Sequence, residues 1–307
     1  MPSCPLLKLP TQARITLIRE LIPVPLQVGL ESPFRTDRSH RQYALVKKLI
    51  PDKPLPHLWS VMQKWINALP CKTAEEKTRN STLQAALEET ATTMANVPGL
   101  SNGAYVMSHC DLLSGNVIML PSKIQTLLSK DREVCEVAFI DYEYTTPTPA
   151  AFDLANHFAE YIGFDCDMKK IPSRSSRRAF LREYVAEFRR AQSQTQTDLC
   201  LENGAAAVDN HKTNGADGQS AIPLSPPLED DVDCLMSEVD EFRGLPGLYW
   251  GIWALIQATI SCIDFDYASY ADIRLSEYWD WKAEKEGSRK RDHKELSTRE
   301  NKWAQEE

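Results

Sequence analysis

His109-Cys110-Asp111-Leu112-Leu113-Ser114-Gly115-Asn116, followed downstream by Ile140-Asp141-Tyr142-Glu143, is the stretch on which the reading of this sequence turns. A His, an Asp two residues on, an Asn beyond it and a second Asp after a β-rich run together supply oxygen ligands. Phosphoryl transfer needs little covalent help: it needs a carboxylate beside the attacking hydroxyl and oxygen ligands that hold Mg2+ against phosphates. Asp111 suits the first task as base or orienting group. Asn116 and Asp141, with Glu143 beside them, suit the second. A turn in which Asp111 and Asn116 only satisfy backbone groups is the plainer alternative, and the second Asp after the β-rich run makes it the weaker one. His109 reads as a structural residue that orients the loop.

Outward from this loop, Tyr105–Met107 reads as a short strand leading in. Val117–Leu120 and Val134–Ile140 are β-rich runs joined by a polar loop, hence a hairpin that returns Asp141 towards Asn116. Upstream, Leu58, Val61, Met62, Trp65 and Leu69 follow one helical face. Thr73, with Glu76 three residues on, is a capping box opening a helix over Glu75–Ala95. Downstream, Phe152–Ile162, Ser175–Gln192 and the aromatic-rich sequence from Leu248 to about Lys285 predict helices. The expected class is α+β, mostly helical, with one small β-hairpin.

Three segments stand apart from that domain, which is expected over residues 54–190 and 241–285. Residues 1–53 are interrupted by Pro2, Pro5, Pro10, Pro23, Pro25, Pro33 and Pro51, and predict only short helices around Ala13–Leu21 and Tyr43–Ile50. Residues 191–240 hold ten acids, one lysine and no aromatic residue, with repeated Asn-Gly and Asp-Gly turns. Such a composition buries too little apolar area to offset the entropy of ordering, so a disordered acidic insertion is expected there. Residues 286–307 are mostly charged and predict a solvated helix or tail.

Net charge is −8 over 307 residues. That argues against a general nucleic-acid binder, which wants a basic face. The acidic stretch carries more than all of that negative balance, leaving a near-neutral remainder that suits a polyanionic nucleotide. Eight cysteines, at 4, 71, 110, 135, 166, 200, 234 and 262, form no CxxC pair, and so read as reduced thiols of a cytoplasmic protein. The N-terminus has no signal-peptide pattern. Gly247–Ile263, the most apolar segment, is short for a membrane span and carries Gln257, Thr259 and Ser261.

The motifs resemble those of the choline/ethanolamine kinase family. HCDLLSGNV is similar to its HNDLLSGN-type catalytic loop and IDYEY to its metal-binding strand end. LWSVMQKWINALP, AFDLANHFAEYIGFDCD and GLYWGIWALIQATISCIDFDYASYADIRLSEY resemble its other blocks, in order. The resemblance implies a protein-kinase-like fold whose helical C-lobe holds an amino alcohol, with Mg2+ and ATP as phosphoryl donor. It implies a cage in which Trp250, Trp253, Tyr144, Phe265 and Tyr270 supply aromatic faces and Glu160 a carboxylate. Asp153 matches a helix-start aspartate that anchors the catalytic loop; a simple N-cap is its alternative. The physics agrees, since an ammonium is attracted to aromatic faces, Trp best. Core packing remains the alternative for Trp250 and Trp253, at i and i+3 on an apolar helix.

Two departures qualify the match. Cys110 stands where the family usually has Asn. No block of residues 1–53 resembles the family's nucleotide lobe, so that lobe is expected to be largely missing, which would make the chain a poor kinase that does not bind Mg·ATP at millimolar nucleotide. It would also uncover apolar surface and favour association, for instance as a homodimer. GFDCD and IPSRSSRRAF lean towards the ethanolamine branch, so phosphorylation of ethanolamine, the first step towards phosphatidylethanolamine, is the leading expectation. Choline kinase, a non-catalytic C-lobe remnant acting as a binding or dimerising module, and an aminoglycoside phosphotransferase-type kinase stand as alternatives; the WGIWALIQA block speaks against the last.

Overall fold

The computed structural model describes residues 57–94, 99, 105–120, 136–204 and 228–307. The expected helices before residue 57, and the reading of the N-terminal segment as lacking a nucleotide lobe, lie outside the described residues. Nine helices and four short strands make up the described part: α1 Leu58–Ala68, α2 Ala74–Met94, β1 Val106–Ser108, β2 Val117–Leu120, β3 Glu136–Phe139, β4 Thr146–Thr148, α3 Ala150–Ala159, α4 Arg174–Gly204, α5 Leu228–Phe242, α6 Leu245–Ile260, α7 Tyr267–Lys285, α8 Ser288–Arg291 and α9 Thr298–Ala304. The mostly helical class follows.

Local chemistry explains the boundaries. The Thr73 backbone N–H donates to Glu76 Oε2 at 3.0 Å while Glu76 N–H donates to Thr73 Oγ1 at 3.1 Å, the reciprocal capping box expected before α2. β2 and β3 pair antiparallel in the register Val117↔Phe139, as the hairpin reading requires. The expected single hairpin has a companion, however. β1 pairs antiparallel with β4, Ser108 opposite Thr146. Three residues with a proline at their centre and another just after carry too little alternation to announce a strand.

α3 lies at the centre: all ten of its residues, AAFDLANHFA, are buried. α6 and α7 form the opposite wall and pack very closely. A Cβ on Gly247 would stand 2.6 Å from the Arg274 carbonyl oxygen, and one on Gly251 would stand 2.6 Å from the Leu275 side chain. Only glycine at both positions lets the two backbones approach this far.

Within the stretch expected from composition to be a disordered insertion, residues 191–204 and 228–240 are helical, not disordered. α4 runs on to Gly204, and α5 buries Val232, Leu235, Met236, Val239 and Phe242. Those five positions recur at helical spacing and face the core. The acids that dominated the composition sit on the other side, against arginines of α4: Arg178 with Asp233 and Glu229, Arg189 with Asp231, Arg174 with Asp240. Residues 205–227 of this stretch lie outside the described residues.

Nor are residues 286–307 a solvated tail. Trp303 is 3% exposed in α9, with the Arg177 guanidinium 4.1 Å from its ring centroid. Its indole N–H donates to Asp240 Oδ1 at 2.8 Å, and its carbonyl accepts from Arg177 Nη2 at 2.7 Å. The charged residues around it hid a single aromatic anchor.

Candidate active site

β1 delivers the chain into the loop His109–Asn116, and α3 holds that loop from beneath with one face. Asp153, Asn156 and His157 stand at i, i+3 and i+4, hence on the same side of the helix. Asp153 accepts the backbone N–H groups of His109 (3.2 Å) and Cys110 (2.9 Å). Asn156 Nδ2 donates to the Cys110 carbonyl at 3.0 Å, and His157 Nδ1 donates to that of Leu112 at 2.8 Å. Burial holds the His157 imidazole down to about 4, so it is neutral and serves only as that donor. Cys110 has φ of 64°, in the left-handed region, and the bonds from α3 to its N–H and carbonyl hold the turn. Cys110 is itself buried, so the residue that departs from the family's Asn packs into the core.

His109 joins the loop to the returning strand. Its Nδ1 accepts the Asp111 N–H at 3.3 Å, which leaves Nε2–H to donate to the Ile140 carbonyl at 2.9 Å. The Ile140 N–H in turn donates to the Asn116 carbonyl at 3.1 Å. The β2–β3 pairing and this imidazole clip together place Asp141, exposed and left-handed at φ 61°, beside the loop.

Asn116 Nδ2 donates to both the carbonyl (2.8 Å) and the carboxylate (2.9 Å) of Asp111. Its amide oxygen could take part in holding a cation. No group of three or more His, Cys, Asp or Glu side chains is gathered as a metal cage among the described residues. Asn116, Asp141 and Glu143 are instead a sparse oxygen set. It suits Mg2+, which keeps waters and takes phosphate oxygens beside one or two protein carboxylates.

The Asp111 carboxyl is pushed up to about 7. Burial is the main cause, and the negative charges of Glu160, Glu143 and Asp141 add to it against the Asn116 hydrogen bond. A carboxyl poised there is suited to accept a proton near neutral pH.

Aromatic rings line the ground beside Asp111. Trp253 Nε1–H donates to the Tyr144 hydroxyl at 2.9 Å, and Trp250 lies edge-on to both, with centroids 5.4 Å from Trp253 and 5.5 Å from Tyr144. The two tryptophans differ in kind. Trp250 is 5% exposed, and its indole N–H donates to Asn156 Oδ1 at 2.8 Å, so it packs the core and steadies the loop support. Trp253 is half-buried and also meets Tyr267, with centroids 5.7 Å apart. Phe265 is exposed at the rim, against Tyr267 and Tyr270. Tyr270 is buried. Glu160, at the C-terminal end of α3, is 3.4 Å from Arg274 Nη1, and the same nitrogen donates to the Tyr270 hydroxyl at 3.3 Å.

The chain is similar in sequence and in fold to known proteins. A sequence model of choline/ethanolamine kinases matches residues 33–279. The chain belongs to the choline/ethanolamine kinase family. The match opens before Leu58, where the first resembling block begins. A probable ethanolamine kinase of Arabidopsis thaliana is 28% identical over 75% of this chain and 50% of its own length. Ethanolamine kinase 1 of Mus musculus is likewise 28% identical, over 75% of this chain and 54% of its own. The chain thus spans about half the length of the curated relatives it matches. Among solved structures, an ethanolamine kinase of Plasmodium vivax superposes with a TM-score of 0.53 at 20% identity, covering 87% of this chain and 58% of that one. The fold is therefore the family's.

Sequence reasoning missed Asn156, His157, Tyr267 and Arg274. For the first two a signal existed: polar residues one turn beyond Asp153 on an otherwise apolar helix. Arg274 follows Tyr270 by one turn, but an arginine on an amphipathic helix has no mark that separates a buried partner from a surface charge.

Proposed function

We propose that this chain transfers the γ-phosphoryl group of ATP to ethanolamine, the first step towards phosphatidylethanolamine, in a cytoplasmic setting. The observation that carries the reading is the single assembly of Asp111, Asn116 and Asp141, clipped by His109 and flanked by the Tyr144–Trp253 pair. Asp111 would orient the alcohol hydroxyl and take its proton. The Asn116 amide oxygen and Asp141, with Glu143 near, would hold Mg2+, which neutralises phosphate charge when bound. Trp253, Tyr144 and Phe265 would face the ammonium, with Trp250 and Tyr270 behind them and Glu160 adding charge. The ATP phosphates need a second set of contacts that is not among the described residues. The names of the relatives favour ethanolamine over choline, and among the described residues the free thiols at Cys71, Cys110, Cys166, Cys234 and Cys262 fit a reducing compartment.

The test is ADP release by the purified 307-residue chain with Mg·ATP and either ethanolamine or choline. Release that saturates with ethanolamine and is several-fold weaker with choline is the outcome expected of this reaction, whereas neither release nor Mg·ATP binding is the outcome expected if residues 1–53 supply no nucleotide lobe. The reverse preference would make it a choline kinase. Ethanolamine binding without ADP release would leave a binding module.

A further inference from the structure

From Glu160 a series of six charges alternates in sign, all buried or nearly so except Arg243 at the far end. Glu160 meets Arg274 Nη1 at 3.4 Å, and Arg274 Nε meets Glu277 Oε1 at 3.5 Å. Glu277 Oε2 meets Arg299 Nε at 3.4 Å, and Arg299 Nη1 meets Glu300 Oε1 at 2.6 Å. Glu300 Oε2 ends the series on Arg243 Nε at 2.8 Å. Arg274 is fully buried, Glu277 is 2% exposed and Arg299 3% exposed. The series therefore runs from the C-terminal helix α9, through α7, to the carboxylate beside Asp111.

Its middle is held by charge alone. Neither Glu277 oxygen, nor Arg274 Nε or Nη2, has a hydrogen bond to any described residue. One guanidinium thus stands between two carboxylates, hydrogen-bonded to Glu160 through Nη1 at 3.4 Å and facing Glu277 by charge alone. Glu277 competes with Glu160 for Arg274, and Arg299 relieves that competition by countering Glu277 from the far side.

We propose that Arg274 is the positioning residue for Glu160, and that Glu277 and Arg299 set how much of its charge Glu160 receives. The backbone of Arg274 is held by the close crossing of α6 over α7 at Gly247, and its Nη1 also donates to the Tyr270 hydroxyl. Through Arg299, α9 holds the balance although it lies outside the site. The inference rests on the reading of Glu160 as the carboxylate that meets an ammonium. The titratable and charged groups that face Glu160 are Asp111 from the loop, Cys166 from the turn after α3, and Tyr270, Arg274 and Glu277 from α7.

The experiment is a carbon-13 NMR titration of the Glu160 side-chain carboxyl in the full chain, without nucleotide or alcohol, assigned by the signal lost in Glu160→Gln. Glu277→Gln frees Arg274 for Glu160, so the Glu160 midpoint should fall. Arg299→Gln lets Glu277 draw Arg274 away, so it should rise. Each shift should be about one pH unit or more, the usual effect of gaining or losing a charge at this range. Arg299→Lys keeps the charge and should leave the midpoint close to the parent's. Loosening of the fold would instead hydrate Glu160 and lower its midpoint in both glutamine variants. Movement in the same direction in both, or in neither, overturns the proposal. If Arg299→Gln does not fold, an unmoved or raised midpoint in Glu277→Gln overturns it alone. Because no turnover is read, opposite shifts in a chain that releases no ADP would keep this inference and sink the proposed reaction.

Discussion

At the scale of single residues, Asp111 shows how a site can weaken the fold that carries it. Its carboxyl sits near 7 in the folded chain, against about 3.9 for an unfolded aspartate. A raised folded value means the native state holds the proton more tightly than the unfolded one. The associated stability is present below about pH 4 and is lost as pH rises through about 7. Asp111→Asn removes the buried charge and keeps an oxygen for the Asn116 amide. It should melt higher than the parent at pH 8, by an amount that shrinks as pH falls towards 4, and turnover should drop by orders of magnitude. Thermal melts across that range check the first part, and a variant less stable than the parent at pH 8 would contradict it. That Asp111, Asn116 and Asp141 come together was legible in the sequence because their spacing is local. The roles of Trp250 and Trp253 were not: both are tryptophans on one apolar helix, and only the third dimension gives one to Asn156 and the other to Tyr144.

At the scale of elements, legibility followed the balance between periodicity and composition. α1, α2 and the β2–β3 ladder were readable from spacing and from the Thr73–Glu76 cap. α5 was not, because its acids set the composition while its apolar face set the structure. An element that merely decorates the surface tolerates substitution within about 0.5 kcal/mol. Leu235 is 1% exposed beneath α5, so Leu235→Ala should cost ~2–5 kcal/mol in denaturant unfolding, the range for a buried leucine. A cost near zero would return residues 228–242 to the status of an insertion. Deletion of residues 196–238, which composition alone would allow, removes Val232, Leu235 and Met236 and should abolish cooperative unfolding.

Across the whole molecule, the C-terminal helix has reach out of proportion to its seven residues. Trp303 joins segments far apart in sequence: its ring covers Arg177 of α4, its indole N–H holds Asp240 of α5, and the residues after it accept the first backbone N–H groups of α4, Arg174 to Gln305 at 2.8 Å and Ser175 to Glu306 at 3.1 Å. Those last two bonds satisfy donors at the start of α4 that have no partner within the helix. Burial also holds the Arg177 guanidinium down to about 10, with Asp240 opposing the shift, so it depends on its covering partners. Removing the ring therefore does two things: it opens a cavity and leaves a buried cation with less to face. Trp303→Ala should cost ~3–5 kcal/mol. The loss should spread to the start of α4 and to α5, since contacts between these elements and α9 go together. Amide hydrogen exchange checks this: protection should fall at Arg177–Leu181 and around Asp240 as well as in α9. Loss of protection confined to residues 298–307, with the melting temperature unchanged, would make the C-terminal helix the solvated tail that its composition suggests.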